Sequence, residues 1–354
     1  MRRLTRFIRD KMKNLDCAEL RRRAMAQELT EDPIPGAVTS SVRGWLRKEL
    51  KAAGAWHQPV SGDVEQEFEC RLLGGYLQVA GDPDFNYLGH LAKGLRLGVG
   101  VKMARTPAVF PKKRKWRLPG QAEGRGLDDG EVVAANYSSV KPAKGWLERH
   151  VAEEVSAGRM VRMRRRRAKE RYQGRLRVGS IGCILKGTNE EGEEEFLLIH
   201  DGTNEIGVNN SIRQRDGADS PQSKDLRKIM GLLEATGKRF VGVTIDVSHA
   251  HRIPRIDERD WGFLGCQINE DDEDVLLNTC GTFGLSSAAG HWDRLGAGLV
   301  RVLYYALQGL GVVWIIRVAD DYVIVMEEDL SDAVLAVIII TFGTFRIPTA
   351  WRKI

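Results

Sequence analysis

Hydrophobic and polar positions change their pattern several times along the chain. Residues 1–60 are mostly polar and irregular, apart from an amphipathic stretch, Cys17–Leu29, that predicts a helix ending before Asp32-Pro33. A short element over Cys70–Val79 gives way to the turn Gly81-Asp82-Pro83-Asp84. From Gly94 through Lys115 to Gly130 no period is sustained, so this Gly-rich, basic stretch reads as loop or extended arm. Lys144–Arg171 then places Trp146, His150, Val151, Val155 and Met160 roughly on one side, which predicts a long charged helix.

Beyond Arg175 strands dominate. Leu176–Lys186 and Glu195–His200 read as a hairpin around Gly192, followed by a helix over Lys224–Ala235. Phe240–Asp246 and Trp261–Ile268 read as strands. Ser286–Gln308 carries Leu295, Leu299, Leu303 and Leu307 at helical spacing. A hairpin, Val312–Met326, and an apolar helix, Leu330–Phe342, complete the order. This succession predicts an α+β fold, an antiparallel sheet backed by helices. The expected organisation is an irregular or helical N-terminal extension over 1–143, a second region over 144–239 and a third over 240–354.

Composition adds a soluble globular character, with 42% hydrophobic residues, and a net charge of +6. That charge is clustered. Val101–Leu118 holds seven Lys or Arg and no acid, and Arg159–Arg177 holds ten against Glu170 alone. Acid gathers in 190–195 and in the run Glu270–Asp274. Segregated basic runs suit a polyanion, although a solvated, ion-paired surface has the same look. The five cysteines show neither CxxC spacing nor a neighbouring His pattern, which argues against a disulfide framework or a zinc site. The N-terminus lacks the apolar stretch of a signal peptide. Ala333–Phe342 is shorter than the roughly 20 residues a membrane span needs. A soluble intracellular protein with no membrane partner is the expectation.

The candidate chemistry lies in carboxylates. Asp320-Asp321 stands between two apolar strands, where adjacent acids would be costly unless they sit at a hairpin tip. An ordinary Asp-rich turn would look the same. Phe240–Asp246 adds a buried strand ending in a third acid. One acid at a strand end and two at a hairpin tip are the parts a two-metal phosphoryl-transfer site needs.

The motifs around these acids resemble those of reverse transcriptases. Ile245-Asp246-Val247-Ser248-His249-Ala250-His251 resembles motif A, and Gly281-Thr282-Phe283-Gly284-Leu285-Ser286-Ser287-Ala288 resembles motif B. Val318-Ala319-Asp320-Asp321 resembles motif C. Phe342-Gly343 with Ile347-Pro348-Thr349-Ala350-Trp351-Arg352-Lys353 resembles motif D. Upstream, Ile199-His200-Asp201-Gly202-Thr203 and Val208-Asn209-Asn210 resemble the fingers segment that precedes motif A. The chain as a whole is similar to retroelement-derived reverse transcriptases, in which a block like Gly81-Asp82-Pro83-Asp84 and Arg105-Thr106-Pro107 lies before the palm.

The resemblance implies the fingers and palm of a right-hand polymerase acting on an RNA/DNA primer-template with deoxynucleoside triphosphates. Asp246, Asp320 and Asp321, with the Val247 carbonyl, would hold Mg²⁺ or Mn²⁺, and Lys353 could protonate the leaving pyrophosphate. Lys186, His251 and Gly284 would contact the nucleotide, His251 standing where the family has Tyr or Phe against the 2′-hydroxyl. Lys112, Lys113, Arg114 and Lys115, and Arg164, Arg165, Arg166 and Arg167, would contact the nucleic-acid backbone. Pro111–Lys115 also resembles a nuclear import signal. The chain departs from the family at Val318, in place of Tyr, and at Leu197, in place of a basic residue for which Arg213 or Arg215 could substitute. No thumb follows motif D before Ile354, so the expectation is a C-terminally truncated polymerase, with a partner chain as a candidate thumb. Two other readings stay open: a relic that binds nucleic acid without chemistry, and an α+β interaction module.

Overall fold

The computed structural model describes residues 2–56, 58–113, 130–189 and 191–354. They form an α+β fold of helices and three small sheets. The chain divides into two compact units. One comprises Met1–Ala92, Ala218–Ala250 and Asp293–Ile354, and the other Lys93–Gly217 and His251–Trp292.

The first unit is built on the apolar helix Ser331–Phe345, which is buried almost from end to end. Hydrophobic on all sides, it must be wrapped. A three-stranded antiparallel sheet and the helices Arg2–Met12, Cys17–Met25 and Gly36–Ala52 do so. In that sheet Asp321–Glu327 lies between Phe240–Asp246 and Val313–Val318. Its alternation puts Tyr322, Ile324 and Met326 inward, and Tyr322 meets Phe342 edge-on at 6.0 Å. The N-terminal residues are therefore more regular than their polar pattern predicts. Leu4, Ile8, Leu20, Val42, Leu46 and Leu50 give each helix a narrow buried stripe.

The second unit carries a five-stranded mixed sheet in the order Val132–Val133, Arg177–Val178, Gly265–Cys266, Asp274–Asn278 and Met160–Arg164. A separate hairpin pairs Ile181–Thr188 with Glu194–His200. Helix Lys144–Ser156 packs Leu147 and Val151 onto Met160, Ile181, Leu198 and Leu276.

Two expectations are corrected here. The long helix over Lys144–Arg171 is broken. Gly158 takes a positive φ of 66°, Met160–Arg164 becomes an edge strand paired with Asp274–Asn278, and a second helix runs over Arg165–Tyr172. The first half of Trp261–Ile268 belongs to a 3₁₀ helix, Glu258–Leu264, whose start is capped by Asp257 accepting from the Arg259 N–H, and only Gly265–Cys266 extends. The other predicted elements from Cys70 onward, including Ser223–Glu234, Phe240–Asp246 and Ser286–Ala306, fall within a few residues of their expected limits.

Candidate active site

Strand register brings the predicted acids together in the first unit. Asp246 and Asp321 are direct cross-strand partners, so their side chains share one face of the sheet. Asp320 sits beside them in the two-residue turn Ala319-Asp320 that joins the hairpin strands, Val318 pairing with Asp321. Ala319 opens this turn at a φ of 53°, a left-handed conformation unusual for a residue with a Cβ. Asp246 is buried and Asp321 exposed. Partial loss of water around the carboxyl first, and then the negative charges of Asp246 and Asp320, push Asp321 above its ordinary pKa.

The C-terminal segment closes the other side of Asp246. Val247 bridges to Thr349, the Ser248 N–H donates to Pro348 O at 3.0 Å, and the Ala350 N–H donates to Asp246 O at 2.9 Å. The short Trp351–Lys353 turn then delivers the Lys353 ammonium to Asp246 Oδ2, an ion pair with the lysine largely exposed and the acid buried. The hydrogen bond to Asp246 holds the Lys353 pKa above its ordinary value. The Val247 N–H donates to Asp320 O at 3.2 Å. Val247 is itself fully buried, and none of these bonds uses its carbonyl oxygen.

The donor set is hard oxygen only, which suits Mg²⁺ or Mn²⁺. A carboxylate at Asp321 that feels the negative charge of Asp246 and Asp320 fits a divalent cation in chemistry. Among the described residues no three His, Cys, Asp or Glu side chains converge into a ready-made cage. Lys353 places a positive charge at Asp246.

The expected nucleotide contacts lie in the second unit. His251 packs on Phe283, ring centroids 4.8 Å apart. Gly284 has a φ of 99°, and a Cβ there would lie 1.9 Å from His200 O. The close approach it permits within the protein is to the strand Glu194–His200, reinforced by the His200 N–H donating to Phe283 O at 2.9 Å. Asn209 donates to Gly284 O at 2.7 Å and accepts from the Ser286 N–H at 2.8 Å, fixing the entry to helix Ser286–Ala306. Lys186 is exposed on the hairpin Ile181–Thr188.

The predicted basic contacts are differently placed from one another. Lys112 and Lys113 are exposed and run beside 214–217, the Lys113 N–H donating to Arg215 O at 2.9 Å. Arg114 and Lys115 lie outside the described residues. Arg164 pairs with Glu273 and Asp274, Arg165 with Glu131 at 2.7 Å, and Arg166 with Glu170 at 3.1 Å. Arg167 is exposed. The basic run and the acidic run Glu270–Asp274 are thus partly each other's counter-ions.

Sequence reasoning missed a buried charge cluster in this unit. Arg252 donates from Nε to Glu154 Oε2 at 2.8 Å and from Nη1 to Asn278 Oδ1 at 2.8 Å and Gly281 O at 3.1 Å. Arg159 bonds the other Glu154 oxygen at 2.7 Å. Burial pushes the Glu154 carboxyl up, but the guanidinium groups of Arg252 and Arg159 outweigh it and hold the pKa below the ordinary value. The cluster ties the segment around Arg252 to the Gly281 loop. No local pattern marks the cluster, since Arg252 and Glu154 stand 98 positions apart in the chain.

No protein-family model matches the chain, and no curated protein matches it. Among solved structures, one similar to it is a foamy viral protease-reverse transcriptase in complex with double-stranded DNA. The two are 13% identical with a TM-score of 0.41, over 76% of this chain and 39% of that one. The chain therefore spans about two fifths of that structure's length. No helix among the described residues is long and apolar enough to cross a membrane.

Proposed function

We propose that the chain is the fingers and palm of a reverse-transcriptase-type polymerase, transferring nucleotides to a primer on an RNA or DNA template. The observation that carries this reading is Asp246 directly opposite Asp321 across paired strands, with Asp320 in the adjoining turn. Asp246, Asp320, Asp321 and the Val247 carbonyl would hold Mg²⁺ or Mn²⁺, which when bound would supply acidity to the primer 3′-hydroxyl and charge to the triphosphate. The chain's own residues set the rest. The strand pair fixes two carboxylates on one face, and the Val247 N–H to Asp320 O bond ties the turn to the end of the first strand. Lys353 holds its proton firmly while paired with Asp246, so it becomes a useful general acid only once that carboxylate is engaged elsewhere.

Extension of oligo(dT) on poly(rA) by the purified chain, with Mg²⁺ or Mn²⁺ and dTTP, tests the reading. Asp246→Asn and Asp320→Asn should each abolish extension without lowering thermal stability. A wild-type chain inert under both metals sinks the polymerase reading. A second reading, nucleic-acid binding without chemistry, draws support from the ammonium already seated on Asp246. It predicts hybrid binding that is salt-sensitive and unchanged by Asp246→Asn, with no extension at all.

A further inference from the structure

The turn Gly81-Asp82-Pro83-Asp84 has no part in the metal chemistry, yet it places two carboxylates among the most buried polar groups of the first unit. Both point at one helix. Asp84 forms a two-bond pair with Arg294, at 2.6 and 3.1 Å, and Asp82 another with Arg301, at 2.5 and 3.0 Å. Arg294 also lies over the Tyr87 ring, 4.2 Å from its centroid, and the Tyr305 hydroxyl reaches Asp82 at 3.4 Å. Positions 294, 301 and 305 recur at two turns and then one, so the clamp grips one face of helix Ser286–Ala306 along its length. Planar guanidinium-carboxylate pairs fix both position and rotation, which a hydrophobic contact would not.

The adjacent face of that helix holds the catalytic hairpin. Asp293 pairs with Arg317 at 2.7 Å, and the other Arg317 nitrogen donates to Ala319 O at the turn itself. Gly296, one turn on, leaves room for this guanidinium, since a Cβ there would lie 3.0 Å from Arg317 Cδ. Its carbonyl accepts from the buried Tyr322 hydroxyl at 3.2 Å. Ala319 holds a positive φ inside this bracket.

On the proposed polymerase reading, we infer that Arg317 is a positioning residue for the Asp320-Asp321 turn, and that Asp82 and Asp84 set its register through the helix they clamp. The arginine touches no reacting atom. It holds the carbonyl of a strained turn residue against a helix whose rotation is fixed from the far side.

Hydrogen exchange and steady-state kinetics on the full chain test this. Arg317→Met should speed amide exchange in the 313–327 hairpin about tenfold or more relative to the rest of the chain. Arg317→Lys, which keeps the ion pair with Asp293 but cannot also span to Ala319 O, should fall between. Asp84→Asn/Arg294→Gln, which leaves no charge unpartnered, should show the same local acceleration if the clamp transmits to the turn. On poly(rA)·oligo(dT), Arg317→Met should lower kcat about tenfold with KM for dTTP unchanged. Exchange in 313–327 that stays at the wild-type rate in both variants, or that rises equally throughout the chain, overturns the relay. A wild-type chain that extends no primer overturns the polymerase reading, and the exchange measurement still decides the relay.

Discussion

At the scale of single residues, Asp321 works against the fold that carries it. Its pKa is raised, first by partial loss of water and then by Asp246 and Asp320. The folded chain therefore binds a proton there more readily than the unfolded chain does, and stability falls as pH rises above the ordinary carboxylate value of 3.8. Asp321→Asn should raise Tm at pH 7, and the gain should vanish once the pH is taken below that value. Melts at the two pH values check the sign; an equal gain at both would assign the effect to packing. Mg²⁺ should raise the Tm of the wild type more than that of the variant, which keeps the other donors. Ala319 offers a second test. Its left-handed φ costs about 1–2 kcal/mol that glycine escapes, while glycine's extra freedom in the unfolded chain returns part of this. Ala319→Gly should stabilise by about 0.5–1 kcal/mol, read from urea melts. The acids were legible in the sequence because apolar strands frame them so sharply. Their bracing was not, since Asp82 meets Arg301 and Asp84 meets Arg294 more than 200 positions away in the chain.

At the scale of elements, Gly281–Ala288 reads as a Gly-rich turn into a helix, and the structure gives it a physical cause. Gly284 combines a positive φ with a backbone approach that leaves no space for a methyl group. Gly284→Ala adds left-handed strand-turn strain to overpacking, and should destabilise by roughly 2–4 kcal/mol in chemical denaturation. Arg252 and Glu154 form the element-scale counterpart of the acids. Removing Arg252 takes one of the two guanidinium partners from Glu154 and strips Asn278 Oδ1 and Gly281 O of a donor, so Arg252→Met should cost about 1–3 kcal/mol. The Glu154 pKa is depressed, so its contribution is present above the ordinary value of 4.5 and is lost as pH falls below it. Glu154→Gln should therefore flatten the acid limb of the stability-pH curve. Element limits were legible where one face is apolar, as in Phe240–Asp246 and Ser286–Ala306. They failed over Arg159–Arg171 because charged residues of good helix propensity were recruited as an edge strand by Asp274–Asn278, a tertiary demand that local periodicity does not record. Trp261 misled for the opposite reason. It is apolar in a stretch read as a strand, yet its indole N–H donates to Ile256 O at 2.9 Å, which locks the 3₁₀ turn.

For the molecule as a whole, the question is what the clustered charge is for. The net excess of +6 is modest, and the structure shows part of the basic run answered by its own acids. Arg164 lies exposed against Glu273 and Asp274, pairs that solvent weakens enough for a phosphate to compete. If this surface meets primer-template, those acids act as a brake on binding. Glu273→Gln/Asp274→Asn should then tighten binding to an RNA-DNA hybrid. It should also steepen log Kd against log salt by roughly 0.7–0.9 for each phosphate newly contacted. Fluorescence anisotropy across a range of salt concentrations reads both effects, with Asp246→Asn expected to match wild type. Unchanged affinity and slope in the double variant would mean that nucleic acid does not pass over Arg164–Arg167. The candidate contact would then move to Lys112, Lys113 and Lys186, which lie exposed on the arm and the hairpin of the same unit.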